Sequence, residues 1–261
     1  MQNQFTTKNQ SVEKMINIIE YMSEIRTPMK LLEISKGVGY PASTVLRLLT
    51  TLINKKYVYH SKETLKYSLT LKFCKIGESV KSGINTVEIV HPYLLDISNK
   101  SGETSYFAIE QNMMLVYLDA IIGNNSKNRK PQRIGNIASL HSTGIGKLIL
   151  SGYNDSRLMK LMESKGLEKF TDNTITTCEA LKNELKEIKA RGYAIDNQEC
   201  EQGLRCIAVP IKDYSGNVIG GISISGSADR INPEKYEGLL SILTPAALEI
   251  SSILGYNESA V

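Results

Sequence analysis

The sequence predicts an α+β protein in two parts: a helical beginning closed by a hairpin, then a larger region of mixed antiparallel sheet flanked by helices. Three observations carry this. Three stretches with helical apolar spacing lie between residues 11 and 52, and two β-prone runs follow at once. Beyond Ser101-Gly102 the texture turns to short strands punctuated by turn residues. The charge also divides. Residues 8–75 hold 12 Lys/Arg against 5 Asp/Glu and the rest 19 against 22, so the net +4 of this 261-residue chain hides a basic module beside a mildly acidic one. A basic module beside an acidic one points a polyanion at the first only.

Residues 1–10 are polar and read as a disordered start. They lack the apolar core of a signal peptide, and no apolar run approaches the roughly 18 residues of a membrane span. A cytoplasmic protein with no membrane partner is expected. Cys74, Cys178, Cys200 and Cys206 suit a reducing compartment; none forms a C-x-x-C, and His60, His91 and His141 are scattered, so neither a metal site nor a cofactor is expected.

The first domain is placed at residues 11–70. Ser11 reads as an N-cap, with Val12, Met15, Ile16, Ile19 and Met22 giving a helix to about Glu24, which Thr27-Pro28 breaks. Met29 to Val38 reads as a second helix and Gly39 as its turn. The stretch Tyr40 to Leu52 is a third, with Val45, Leu48, Leu49 and Leu52 on the core side and Ser43, Thr44, Arg47 and Thr50 largely opposite. A short helix that starts at a proline and shows hydroxyls and an Arg near its beginning suits the DNA major groove. Tyr57–His60 and Leu65–Leu69 then form a hairpin around Ser61–Thr64. Helix, helix, helix, hairpin is the order of a winged helix-turn-helix. Ser43, Thr44 and Arg47 are expected to read or position the duplex, with Lys62 and Lys66 of the wing on phosphates.

Residues 71–85 read as an amphipathic linker helix whose apolar face can pair with a second copy. The second domain, 86–256, opens with a helix over 86–100. Strands are expected at 104–109, 113–118 and 133–138, with a basic loop over 123–131 before the third. His141–Gly146 leads into a helix, and further helices are expected at 156–164, from the capping-box spacing Thr176–Glu179 to Ala190, and at 233–254. Strands at 193–197, 206–211 and 218–225 complete the pattern.

The residues resemble the IclR-type bacterial transcriptional regulators over about Ser11 to Ile253. The likeness rests on Gly39-Tyr40-Pro41-Ala42-Ser43-Thr44-Val45-Leu46-Arg47-Leu48-Leu49, Leu140-His141-Ser142-Thr143-Gly144-Ile145-Gly146-Lys147, Gly203-Leu204-Arg205-Cys206-Ile207-Ala208 and Gly221-Ile222-Ser223-Ile224-Ser225-Gly226. It implies a GAF-like C-terminal effector domain, a small organic acid as effector, and a homodimer or tetramer on palindromic double-stranded DNA. It also implies an effector pocket at Gly144, Ile145, Asp196, Leu204, Cys206, Ser223 and Ser225. The residue types suit that role. Gly144-Ile145-Gly146 opens a helix whose free amides receive a carboxylate, and Ser223 and Ser225 share one face of a strand while Ile222 and Ile224 face a core. His141 and Arg205 read as structural. Three departures stand out: Ala42 where the family often has Lys or Arg, Thr64-Leu65 where a wing glycine is common, and Ile137-Ala138-Ser139 where many members carry a proline.

The function expected is a DNA-binding regulator, most often a repressor, controlled by that effector, and no catalytic residue is assigned. Two alternatives remain at this point: an enzyme with Cys206 as nucleophile beside His141 and Asp196, and a constitutive DNA-binding protein whose large domain only oligomerises.

Overall fold

A computed structural model describes residues 9–126 and 135–257, and the chain divides into two compact units at Ile84/Asn85. Residues 1–8, where the polar start was expected, lie outside the described residues, as does most of the 123–131 loop.

In the first unit α1 (Gln10–Ile25) is capped by Asn9, whose side chain accepts from the Ser11 and Val12 amides. The cap is therefore two residues earlier than the expected Ser11. Arg26, in the left-handed region at φ 57°, ends the helix ahead of Thr27-Pro28. The expected second helix is split. Met29–Lys30 is a short strand, β1, and α2 spans Leu31–Val38. Met29 pairs with Tyr67 and is buried, so sheet pairing and core burial override helical spacing there. The Glu33 carboxylate accepts from the Lys30 amide at 2.6 Å and caps α2.

After Gly39, whose φ of 70° closes the turn, comes α3 (Ala42–Asn54). Its buried stripe, Val45, Leu48, Leu49 and Leu52, packs with Ile18, Ile34, Val58 and Tyr67. Each fully buried aliphatic chain of this size contributes about 1.5–3 kcal/mol. β2 (Val58–His60) and β3 (Lys66–Leu69) form the wing, in a sheet ordered β1-β3-β2. Leu65, at the wing departure, adopts φ 55°, a left-handed conformation that favours glycine. The linker α4 (Lys72–Gly83) leaves from the base of the wing, where the Lys72 ammonium donates to the Lys55 carbonyl at 2.7 Å.

The second unit holds α5 (Thr86–Ser101), β4 (Thr104–Gln111), β5 (Met114–Ile121) and β6 (Ile137–Ala138), then α6 (Gly144–Ser151), α7 (Asp155–Lys165) and α8 (Cys178–Arg191). β7 (Ala194–Asn197), β8 (Leu204–Lys212), β9 (Val218–Ser227) and α9 (Tyr236–Ile253) follow. The third expected strand is described only at Ile137–Ala138; Arg133 lies outside the described residues. The six strands are ordered β6-β5-β4-β9-β8-β7 and every described pairing is antiparallel. A tight turn with Asn112 and Met113 both at positive φ joins β4 to β5 and matches the twist of the strands.

Alternation along the strands gives the sheet two apolar faces. Phe107, Ile207, Ile222 and Ile224 meet Leu94 of α5 and Leu243 of α9. Ala108, Tyr117 and Ala208 meet Leu148 of α6 and Leu185 of α8. No helix among the described residues is long and apolar enough to cross a membrane.

Candidate functional site

Two places in the chain present polar groups in a pattern that packing does not require. The first is the outer side of α3. With the apolar stripe committed to the core, Ser43 and Arg47 are exposed and Thr44 is half-buried near the helix start. The first amides of any helix lack intrahelical partners and its N-terminus carries partial positive charge, so this end suits a phosphate. Thr50, on the same side, spends its hydroxyl on the Leu46 carbonyl at 2.8 Å and offers little outward. The α2–α3 turn is held from behind: Asn17 donates to the Tyr40 hydroxyl at 2.7 Å, and the Ser35 hydroxyl to the Tyr40 carbonyl at 2.6 Å. On the wing, Lys62 is exposed and Lys66 half-buried.

The second place is a small cavity in the other unit, and strand register builds it. Asp196 of β7 lies opposite Cys206 of β8, and Cys206 opposite Ser225 of β9. One row across three strands thus carries a carboxyl, a thiol and a hydroxyl on one face. A neighbouring row sets Tyr106 opposite Ser223 and Ser223 opposite Ala208. The beginning of α6 covers these rows. A Cβ on Gly144 would stand 3.2 Å from the Ala208 Cβ and 3.3 Å from the Cys206 Sγ, so any larger residue would need these neighbours to give way by a few tenths of an ångström. A Cβ on Gly146 would meet the Leu140 carbonyl oxygen and the Thr143 hydroxyl.

The cavity is lined by Tyr106, Tyr117, Thr143, Gly144, Ile145, Asp196, Cys206, Ser223 and Ser225, and its open space of about 10 Å³ is room for a single water. Six residues singled out from the sequence meet here. Leu204 is not among the lining residues; it begins β8, opposite Ser227. Tyr106, Tyr117 and Thr143 were not singled out, although the alternation of Tyr106 and Ala108 against Phe107 and Ile109 marks which face of β4 they share.

Asp196 is 5% exposed. One carboxylate oxygen accepts from the Glu199 amide at 2.7 Å and the Cys200 amide at 3.3 Å. Burial, with the neighbouring Glu199 charge adding to it, pushes this carboxyl up to about 6 despite those amides and Lys147. Behind it lies an ionic layer invisible in the sequence. Lys147, 1% exposed on α6, donates to Glu199 at 2.6 Å and to Glu184 of α8 at 3.2 Å, and Arg191 donates to the same Glu184 oxygen at 2.9 Å. The Thr171 hydroxyl donates to the Gln198 carbonyl at 2.7 Å and the Thr174 hydroxyl to that of Glu199 at 2.6 Å, strapping the β7–β8 loop in place.

His141 does not join Cys206 and Asp196 at the cavity. Its Nε2 hydrogen-bonds with the Glu168 carbonyl at 3.0 Å, its ring stacks near Phe170, and burial lowers its pKa. Arg205 donates to Asn197 and to the Ala228 and Ile231 carbonyls, tying strands to the segment before α9. Among the described residues no group of three or more His, Cys, Asp or Glu side chains forms a metal cage.

Comparison with known proteins covers both units. Residues 11–62 match the IclR helix-turn-helix domain, and residues 78–252 match the family described as bacterial transcriptional regulator IclR C-terminal. The chain is 34% identical to the HTH-type transcriptional regulator KdgR of Escherichia coli, over 95% of this chain and 94% of that protein. It is 32% identical to the HTH-type transcriptional regulator XynR of the same organism, over 95% and 98%. Among solved structures, Thermotoga maritima IclR is 32% identical with a TM-score of 0.63, covering 95% of this chain and all of that one.

Proposed function

Because this chain belongs to the IclR family of bacterial transcriptional regulators, DNA-binding proteins that use a helix-turn-helix, we propose that it is a repressor whose operator binding is controlled by a small organic acid. In this reading residues 11–70 hold the duplex, 71–85 link, and 86–256 sense. Ser43, Thr44 and Arg47 face the major groove, and Lys62 and Lys66 meet phosphates. The acid is held by Gly144, Ile145, Asp196, Cys206, Ser223 and Ser225, with Leu204 at the near end of β8. The repressor sign draws support from relatives named transcriptional repressor IclR and acetate operon repressor, each 29% identical. A homodimer or tetramer on a palindromic operator completes the proposal.

One observation carries the effector reading: the register row Asp196–Cys206–Ser225, with Ser223 beside it, lies directly under the α6 N-terminus. Free amides and two hydroxyls receive a carboxylate, and the carboxyl of Asp196 hydrogen-bonds with a hydroxyl or a hydrated carbonyl on the same ligand. Control then requires the acid to bind one conformation more tightly than the other, since equal affinity for both shifts nothing.

A thermal-shift screen of the full chain against organic and sugar acids tests this. At a concentration of about 100 Kd a bound acid stabilises by about 2.7 kcal/mol. The same acid is expected to change the salt-controlled gel shift of an operator fragment, and Ser223→Ala/Ser225→Ala to abolish both responses. A protein that no acid stabilises is a constitutive DNA binder, and the effector reading is then wrong.

A further inference from the structure

A site built for an anion usually answers it with a cation. Among the described residues, the lining of this cavity contains no Lys, Arg or His, and it does contain a carboxyl group. Several elements bring charged and titratable groups close to Asp196. On α6, Lys147 is turned to Glu199 and Glu184. On α8, Glu184 is shared with Arg191. The β7–β8 loop contributes Glu199 and Cys200, whose amides occupy one oxygen of Asp196. β8 contributes the thiol of Cys206 directly opposite, and β4 and β5 contribute Tyr106 and Tyr117. The turn before α6 contributes His141, engaged with the Glu168 carbonyl and kept neutral by burial.

The two cations are therefore matched by Glu184 and Glu199. Among the described residues an ionised Asp196 has only a share of Lys147, which is already paired with Glu199 and Glu184. Adding a ligand carboxylate would then set two like charges in a space that admits only one water, and two carboxylates sharing a site cannot both stay ionised cheaply.

Taking the cavity to be the effector site, we infer that it binds a small organic anion together with one proton, held on Asp196, whose acid form donates a hydrogen bond to the ligand. The amides of Glu199 and Cys200 keep one carboxyl oxygen as an acceptor, which leaves the other to carry the proton into the cavity. Burial has already raised this carboxyl to about 6, so the proton is within reach near neutral pH. An anion and a proton bound together are thermodynamically equivalent to the undissociated acid. The protein would respond to the product of anion and proton concentrations, and the same amount of anion would be read as more effector in an acidified cell.

Titration calorimetry on the full chain tests this with glycolate, lactate and pyruvate, all anionic throughout the range used. For whichever binds, the Kd is expected to weaken by about tenfold per pH unit above pH 7, or about 30-fold between pH 7 and 8.5. Repeating the titration at pH 8 in phosphate and in Tris, whose ionisation enthalpies differ, is expected to count about one proton taken up per anion bound. That measurement needs no variant. Asp196→Asn, which keeps an acceptor for the two amides and supplies a permanent donor to the ligand, is expected to flatten the dependence to less than about twofold. A wild-type Kd that is equal at pH 7 and 8.5, or a variant that keeps the wild-type slope, overturns the proton but leaves the effector reading standing. Failure of all three acids to bind at any pH, in a protein that a wider acid screen also leaves unstabilised, removes both.

Discussion

The outer side of α3 and the cavity under α6 both sit at the start of a helix, yet they treat their polar groups in opposite ways. On α3 the helix end is open, and Ser43 and Arg47 stand in solvent. Under α6 every residue from Gly144 to Leu150 is buried, and Lys147 among them is paired with two carboxylates. The sizes of the partners proposed for them explain the contrast. A duplex brings its own phosphates to an exposed surface, and many weak contacts add up there. A small acid offers few atoms, so a site for it has to exclude water and fix its donors in advance. Exposed polar groups therefore cost the fold almost nothing, whereas buried ones are held in place by further buried charges.

That contrast can be broken, and the largest effect is expected on the buried side. Lys147→Met leaves Glu199 buried with its ammonium removed, and breaking such a pair is expected to destabilise the second unit by about 3–5 kcal/mol in urea denaturation. A loss below about 1 kcal/mol would show that the ionic layer does not hold the β7–β8 loop. Asp196→Asn is expected to go the other way. The folded carboxyl is raised to about 6 against an ordinary 3.8, so the folded state binds its proton more tightly than the unfolded chain does. Its contribution is complete below the ordinary value and is lost as pH rises through about 6, where the buried charge becomes a burden. The substitution is therefore expected to stabilise the acid-free protein by about 1–3 kcal/mol at pH 8 and to have little effect at pH 4. Equal shifts at both pH values would mean that packing, not charge, is responsible.

On the exposed side the expectation is binding without stability. Arg47→Ala is expected to weaken operator binding by about 1–3 kcal/mol with an unchanged melting temperature, as for a bidentate base contact. Unchanged binding at controlled salt would remove Arg47 from the groove. Lys62→Ala is the smallest change, expected to reduce the slope of log K against log salt by about 0.9 and to affect all sequences alike. A loss confined to one operator sequence would make Lys62 a base reader.

What the sequence made legible follows from periodicity. α3 is readable because four apolar residues at helical spacing face one core, and β9 because Ile222 and Ile224 alternate with Ser223 and Ser225. β1 is not readable: two residues are too few to show a period, and their partners Lys66 and Tyr67 are distant in sequence. The cavity was only partly legible. Its serines and glycines stand in recognisable segments, but a strand bearing Tyr106 reads the same whether that face meets a core or a pocket. Lys147 was hidden for a related reason. A lysine within a helix is nearly always solvated, and only the fold brings Glu184 and Glu199 to it.

The seating of α6 has a mechanical consequence. Ile145 lies against Gly221 of β9, where an added Cβ would stand 3.1 Å from its side chain, and Gly144 lies against Ala208 and Cys206. The far end of the same short helix borders an open cleft of about 650 Å³ that includes Leu148 and Ile149. A rod wedged this closely onto the sheet at its front end is the fixed jaw of a clamp. In the proposed complex the space an acid needs is made by the moving jaw, the Tyr106 and Tyr117 side chains of β4 and β5, since the loop after Asp196 is strapped by Thr171 and Thr174. In that proposed complex, force from the bound acid enters through those two strands, and the helix serves as the surface they push against.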